Sequence, residues 1–295
     1  MRLPVLPHEC IGLVGEADVT RVRIDLSGVP ETLLISHYCR AVESQRPDAL
    51  VKDERAAELV SRIDYDFSRI RFSSADSLFT VMRVREFDRR TQAFLAAHPD
   101  GVVVSIGCGL DTRFDRVAER NGTVQWYDLD LPEVIALRRQ LLPEVPRCRS
   151  ISCSALDTAW MDVVGRGAKG SCLFLAEGVF PYFEEAEVRR LVLNLQDRFP
   201  GAELVFDAMT PFMAWLHSRH PAIRKLHTKL WGIKRGQQLE TWSPGIHLLD
   251  EWFYFDRPEP RLGSTRLMRF VPLLSKGSSI VHYRLGKCPN MLSAT

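Results

Sequence analysis

The sequence predicts an α/β fold built on a mostly parallel sheet, and three observations predict it. From residue 101 onward, short apolar runs alternate with amphipathic stretches of about 10 to 15 residues, the rhythm of strands linked by helical crossovers. The first run, GVVVSI, breaks into a glycine turn, GCGLDTR. The second ends in YDLDLP, which places acids at a strand end where such folds meet a ligand.

Each element follows from its own pattern. Residues 31–97 read as helical throughout, with AVESQRPDALVKDERAAELVSRI broken at Pro47. Strands are predicted at 101–106, 123–128, 148–153, 171–176 and 202–208, and helices at 112–120, 132–142, 155–164 and 184–199. The last helix is the clearest, because Val188, Leu191, Val192, Leu195 and Phe199 recur at helical spacing behind an acidic first turn. Beyond Ala208 the pattern changes. Residues 210–231 read as helical, LLDEWFYF as a short helix, and the runs RLMRFVPLL and SIVHYRL as a terminal β-hairpin turning at SKGS. The expected organisation is one domain over 1–295: a helical cover at 31–97, a cofactor-binding core at 98–210, and acceptor-side helices with the hairpin at 211–295.

Composition narrows the partners. A chain of 295 residues with 45% hydrophobic content can bury a substantial core. Its 39 basic and 37 acidic residues leave a net charge of +2, which provides no general drive toward nucleic acid or an anionic membrane. The seven cysteines are odd in number and form no CxxC pair, and the eight histidines have no metal-ligand spacing. Reduced cysteines, no metal and a cytoplasmic, soluble protein are the expectation. MRLPVLPHEC lacks the apolar core of a secretory signal, and no apolar run approaches the about 18 residues of a membrane span. Nothing in the sequence reads out the oligomeric state.

The glycine turn defines the ligand by what it lacks. Gly107 and Gly109 let a ligand approach bare backbone beyond the first strand, but the third position of a dinucleotide fingerprint is Thr112. Asp111 adds negative charge where a pyrophosphate would lie, and no GK[ST] follows. NAD, FAD and nucleoside triphosphates are thereby disfavoured. Thr112 and Asp115 fit a capping box, which starts the next helix at Thr112. Asp128 and Asp130 follow Gly109 at the distance where related folds set an acid on a ribose, and Pro132 fits the first position of the following helix. A ligand with a ribose diol and no pyrophosphate matches this pattern, and S-adenosylmethionine is such a ligand.

The stretches SIGCGLDTRFDRV, YDLDLPEVIALRRQLLP, SALDTAW, LAEGVFPYF with EVRRLV, and FPGAELVFD resemble the leucine carboxyl methyltransferase family, especially its bacterial polyketide-type O-methyltransferase branch. VMRVREFD and DYDFS upstream add to a resemblance that covers residues 31–210. It implies a class I methyltransferase fold, with its Rossmann-like sheet extended by the C-terminal hairpin, using S-adenosyl-L-methionine. By motif, Arg83 would pair with the methionine carboxylate, Gly107 would approach the methionine, and Asp130 would take the ribose hydroxyls. Ala155 and Leu156 would border the adenine, and Glu177 would face the amino group. Many relatives have Asp-Leu where this chain has Ala155-Leu156, which shifts the adenine contact toward Ser154, Asp157 or backbone. The N-terminal lysine of protein-directed members is not evident in SHYCRAVES. Geometry supports Arg83 separately: a helix over 83–97 climbs about 21 Å and the strand over 101–107 returns about 20 Å, which brings Arg83 level with Gly107.

Methyl transfer from a sulfonium needs alignment and dryness more than a nucleophilic residue. An ionised carboxylate acceptor needs no base, whereas a phenol benefits from one. His217, His220, His227 and His247 are the candidate bases, with Tyr38 and Arg40 upstream. Phe180, Tyr182, Phe183, Phe212, Trp215 and Trp231 read either as walls for a ring-bearing acceptor or as core. The leading expectation is a small-molecule O-methyltransferase acting on a carboxylate or hydroxyl of a natural product. A protein carboxyl methyltransferase and a cofactor-binding protein without transfer activity remain as alternatives. The segments 31–60 and 211–235 are expected to roof the strand ends and build the acceptor pocket.

Overall fold

A computed structural model describes residues 21–24, 33–69, 73–118, 123–167, 170–224 and 229–286. Seven strands form one sheet: β1 (Val102–Ile106), β2 (Gln125–Asp130), β3 (Cys148–Ser152), β4 (Cys172–Ala176), β5 (Ala202–Met209), β6 (Ile246–Phe253) and β7 (Ser278–Leu285). Their order is β3-β2-β1-β4-β5-β7-β6; β1 to β5 are parallel, and β7 runs antiparallel between β5 and β6.

The helices are α1 (Leu33–Ser44), α2 (Glu54–Arg62), α3 (Ser74–Ala97), α4 (Pro132–Leu141), α5 (Ala159–Gly167), α6 (Glu185–Arg198), α7 (Pro211–His217), α8 (Pro221–Arg224) and α9 (Pro272–Ser275). Parallel strands covered on both faces need no polar side, which is why β1 reads VVVSI. Val102, Val104 and Ile106 pack toward Trp160 and Val164 of α5 and Val188, Leu191 and Leu195 of α6. Val103 points the other way, into a layer with Leu78, Met82, Phe87 and Phe94 of α3. Among the described residues no helix is long and apolar enough to cross a membrane.

The antiparallel extension is present, but its first arm is not the predicted one. RLMRFVPLL forms 3-10 turns and the short α9, leaving Leu267, Phe270 and Leu273 exposed. The partner of β7 is β6, which contains most of LLDEWFYF, read above as helix. A register shift between Leu248 and Asp250 explains the error. The extra residue breaks the two-residue alternation that marks a strand. Three helix boundaries also differ. Residues 112–118 form only a π-turn over Phe114–Ala118, α5 starts at Ala159 rather than at 155, and 210–224 is two short helices divided before Pro221. The remainder of the first of these helices, at 119–120, lies outside the described residues.

Candidate functional site

The carboxyl ends of β1, β2, β4 and β5 open into one cavity of about 830 Å³. Its floor is the glycine turn. Gly107 and Gly109 have φ of 64° and 50°, a backbone that side chains rarely adopt, and the Gly107 and Cys108 amides both donate to the Leu129 carbonyl, at 2.8 and 3.1 Å. A Cβ on Gly107 would lie 2.4 Å from Val179 Cγ2. Only glycine leaves that wall open.

Asp130 ends β2 beside the turn. Its Oδ2 accepts from the Gly109 amide at 2.7 Å and its Oδ1 from Leu131 at 2.8 Å, which fixes the carboxylate while each oxygen keeps a lone pair for a ligand hydroxyl. Burial pushes its pKa up, against the pull of those two amides. Asp128, expected beside it, points elsewhere. It is buried off the cavity and accepts from Arg138 at 2.5 Å and from Trp126 Nε1 at 2.9 Å. Strand alternation sends neighbours i and i+2 to one face, but of the two acids only Asp130, at the strand's last position, reaches the cavity. Asp128 therefore positions Arg138, whose guanidinium also holds the Gly109 and Asp111 carbonyls, at 3.2 and 2.7 Å.

The LDTR stretch behind the turn is held by ion pairs rather than by a cap. Thr112 does not complete a capping box with Asp115; its hydroxyl donates to the Asp53 carboxylate. Asp53, fully buried, also accepts from Arg40 of α1 at 2.8 Å, from Arg116 at 2.7 Å and from the Ala56 amide at the start of α2. Asp111 is paired with Arg113 at 2.6 Å and Arg116 at 3.2 Å; these guanidiniums outweigh burial and hold its carboxyl well below the usual range. Its charge is thus neutralised locally, and the exclusion of a pyrophosphate rests on the missing third glycine instead.

Arg83 of α3 reaches the cavity, donating from Nε to Glu177 at 3.0 Å and from Nη1 to Asp207 at 3.2 Å. Its Nη2 has no hydrogen-bond partner among the described residues. Glu177 also accepts from Arg113, at 2.5 Å, so both of its oxygens face guanidiniums. Ser154 and Ala155 line the cavity after β3, whereas Leu156 lies off it and its amide donates to Ser154 Oγ at 3.2 Å. Arg83, Gly107, Gly109, Asp130, Ser154, Ala155 and Glu177 are thus brought together, and Asp128 and Leu156 are not.

The other half of the cavity is apolar. Phe79 meets Tyr254 and Phe255 edge-on at 5.6 and 5.8 Å, with Met213, Met268 and Leu274 nearby on the wall. Residues 254–278 fall within the expected acceptor side but outside the two segments expected to build the pocket, because their irregular turns carry no periodic signal. Of the aromatics singled out, Tyr182 and Phe183 line the cavity, Phe180 is core, Trp231 packs against the core, and Phe212 and Trp215 stack on each other off its lining. His217 and His220 line it, His247 is exposed on β6, and His227 lies outside the described residues. Tyr38 stacks on Phe67 in the cover, and Arg40 is committed to Asp53 and, at 2.8 Å, to the Leu110 carbonyl. The cavity is roofed by α1 and α7, from the two flanking segments, together with α3 and residues 254–278, which lie outside them.

A parallel sheet with an antiparallel β7 inserted beside β5, and a glycine turn facing an acid across β1 and β2, define a methyltransferase of the class I fold, the class whose methyl donor is S-adenosylmethionine. The chain belongs to the leucine carboxyl methyltransferase family, whose sequence profile matches residues 34–196. It is 37% identical over 236 residues to the tetracenomycin polyketide synthesis O-methyltransferase TcmP of Streptomyces glaucescens, covering 80% of this chain and 86% of that protein. The S-adenosyl-L-methionine-dependent methyltransferase dpfgK of Gibberella zeae is 30% identical over 250 residues, covering 78% and 84%. A solved structure from Thermobifida fusca, assigned as a methyltransferase, shares the fold with a TM-score of 0.50 at 17% identity, over 88% of this chain and 99% of that one.

Proposed function

We propose that the protein is an S-adenosylmethionine-dependent O-methyltransferase whose acceptor is a carboxylate or hydroxyl of a small, largely apolar, polyketide-like natural product, and that residues 1–295 act as one domain. The observation that carries this reading is the continuity of a single cavity from the glycine turn and Asp130 to the aromatic wall of Phe79, Tyr254 and Phe255. Its volume lies in the upper part of the roughly 300 to 1,000 Å³ range of small-molecule sites, which leaves room for donor and acceptor together.

The residues present fit the cofactor. Gly107 leaves open the wall a Cβ would fill, Asp130 retains lone pairs for a ribose diol, and Arg83 Nη2 is available to a carboxylate. Ser154 and Ala155 would border the adenine, and Glu177 would attract the ammonium while Arg83 and Arg113 share its charge. When bound, S-adenosylmethionine supplies an electrophilic methyl group on a sulfonium. The protein's part is then to hold the acceptor oxygen in line with that methyl and to exclude water, which the roof of α1, α3 and α7 does.

The test is methyl transfer to a panel of polycyclic aromatic acids and phenols, read by mass spectrometry. Monomethylated products are expected. Transfer confined to a peptide with a C-terminal leucine, or cofactor binding with no transfer to anything offered, would sink the reading.

Arg83 can be tested apart from the acceptor. Arg83→Lys is expected to weaken S-adenosylhomocysteine binding by about 1.5 to 3 kcal/mol, because an ammonium cannot present the forked donors of a guanidinium. The loss should shrink for methylthioadenosine, which lacks the carboxylate. Calorimetry on two proteins with two ligands isolates the coupling, and equal losses would mean that Arg83 only supports Glu177 and Asp207.

A further inference from the structure

Four arginines line the cavity, and three of them are spent on the protein itself. Arg40 is paired with Asp53, Arg83 with Glu177 and Asp207, and Arg113 with Asp88, Asp111 and Glu177. The cavity's carboxylates are likewise engaged: Asp76 caps α3 through Ser73, Asp130 holds two backbone amides, and the rest face guanidiniums. Arg219 is different. It follows α7, lines the cavity as an exposed residue, and has no carboxylate partner among the described residues.

Arg219 is nevertheless oriented. Its guanidinium carbon lies 3.7 Å from the centroid of the Trp215 ring. Contact with an aromatic face stabilises the cation and restrains its plane, while the N–H groups at its edge remain available to a planar anion. Trp215, set aside above as lying off the cavity, thus bears on it through the cation it supports.

We propose that Arg219 is the specificity residue that recognises the acceptor, through an ionised carboxylate attached to an aromatic body packed against Phe79, Tyr254 and Phe255. The assignment rests on the O-methyltransferase reading above and selects the carboxylate among its acceptors. In the transfer, a carboxylate oxygen forms a bond to the methyl carbon as the carbon–sulfur bond breaks, and that bond's electron pair stays on sulfur. A neutral methyl ester and a neutral thioether result, and no proton moves. Methylation therefore removes the charge that Arg219 recognises, so the same residue that holds the substrate loosens its hold on the product.

The experiment is calorimetry on protein saturated with S-adenosylhomocysteine, using anthraquinone-2-carboxylate and its methyl ester as probes. The wild type is expected to bind the acid at least about tenfold tighter than the ester, the scale of a charge-assisted contact. Arg219→Gln should bring the acid down to the ester's affinity with S-adenosylhomocysteine affinity unchanged, and Arg219→Lys should retain part of the preference. Equal losses for acid and ester, or an acid affinity indifferent to Arg219→Gln, overturns the proposal. If the wild type methylates 1-hydroxyanthraquinone but neither binds nor methylates the acid, the carboxylate assignment falls and the O-methyltransferase reading stands. If none of the three compounds binds or is methylated, the aromatic-acceptor reading falls and takes the assignment with it.

Discussion

Replacing Asp53 with alanine is expected to destabilise the protein by about 3 to 5 kcal/mol, the cost of leaving buried charges without their partner. Two guanidiniums, those of Arg40 and Arg116, converge on this one fully buried carboxylate, with the Thr112 hydroxyl and the Ala56 amide completing its shell. The residue also ties together α1, the start of α2 and the LDTR stretch behind the glycine turn. Cofactor affinity should therefore fall along with stability in urea denaturation. The effect depends on pH with a definite sign. Burial alone would raise the Asp53 pKa, but Arg116 and Arg40 outweigh it and hold it at about 2. A depressed native pKa gives stability that is fully present above the unfolded value, near about 4, and lost as pH falls toward 2. The gap between wild type and Asp53→Asn should accordingly narrow across that window. A gap independent of pH would show that the carboxylate's charge is not what stabilises the site.

Gly107→Ala is expected to lower S-adenosylhomocysteine affinity by at least about tenfold, since forcing a side chain into left-handed backbone costs about 1 to 3 kcal/mol. The added Cβ would in addition meet Val179 Cγ2 at 2.4 Å, so either the turn or the 177–179 segment must move. Both border the cavity. Gly263→Ala provides the control: its φ of 54° is also positive, with ψ of −128°, so alanine is strained there too, but nothing lies within 4 Å of its Cβ and it is not part of the cavity. That variant should lose stability without losing the ligand. Unchanged affinity in Gly107→Ala would remove the glycine turn from the binding site.

What the sequence made legible was local. Gly107, Gly109 and Asp130 announce themselves because a turn after one strand and an acid at the end of the next are fixed by short-range spacing and by the parallel pairing of β1 with β2. Helix α6 was legible for the same reason, through its repeated apolar positions. The ion-pair hub was not. Asp53 meets partners 13, 59 and 63 residues away, in Arg40, Thr112 and Arg116, and nothing in KDERAAELV marks its aspartate as more than a helix cap. Asp128 was over-read because YDLDLP offers two acids, and only the one at the strand's very end reaches past the sheet. The apolar wall at 254–278 stayed hidden because a bulge erased the alternation of β6 and because the chain after it folds into turns rather than periodic elements.

The central claim is that the glycine turn and Asp130 form the binding site for the adenosyl cofactor. Calorimetric titration of the wild type and Asp130→Ala with S-adenosylhomocysteine, and of the wild type with NAD, tests it most directly. One molecule of S-adenosylhomocysteine should bind per chain, the substitution should weaken it by about 1 to 3 kcal/mol through the lost ribose hydrogen bonds, and NAD should not bind. Binding of NAD in place of S-adenosylhomocysteine, or an affinity identical with and without the Asp130 carboxylate, would contradict it.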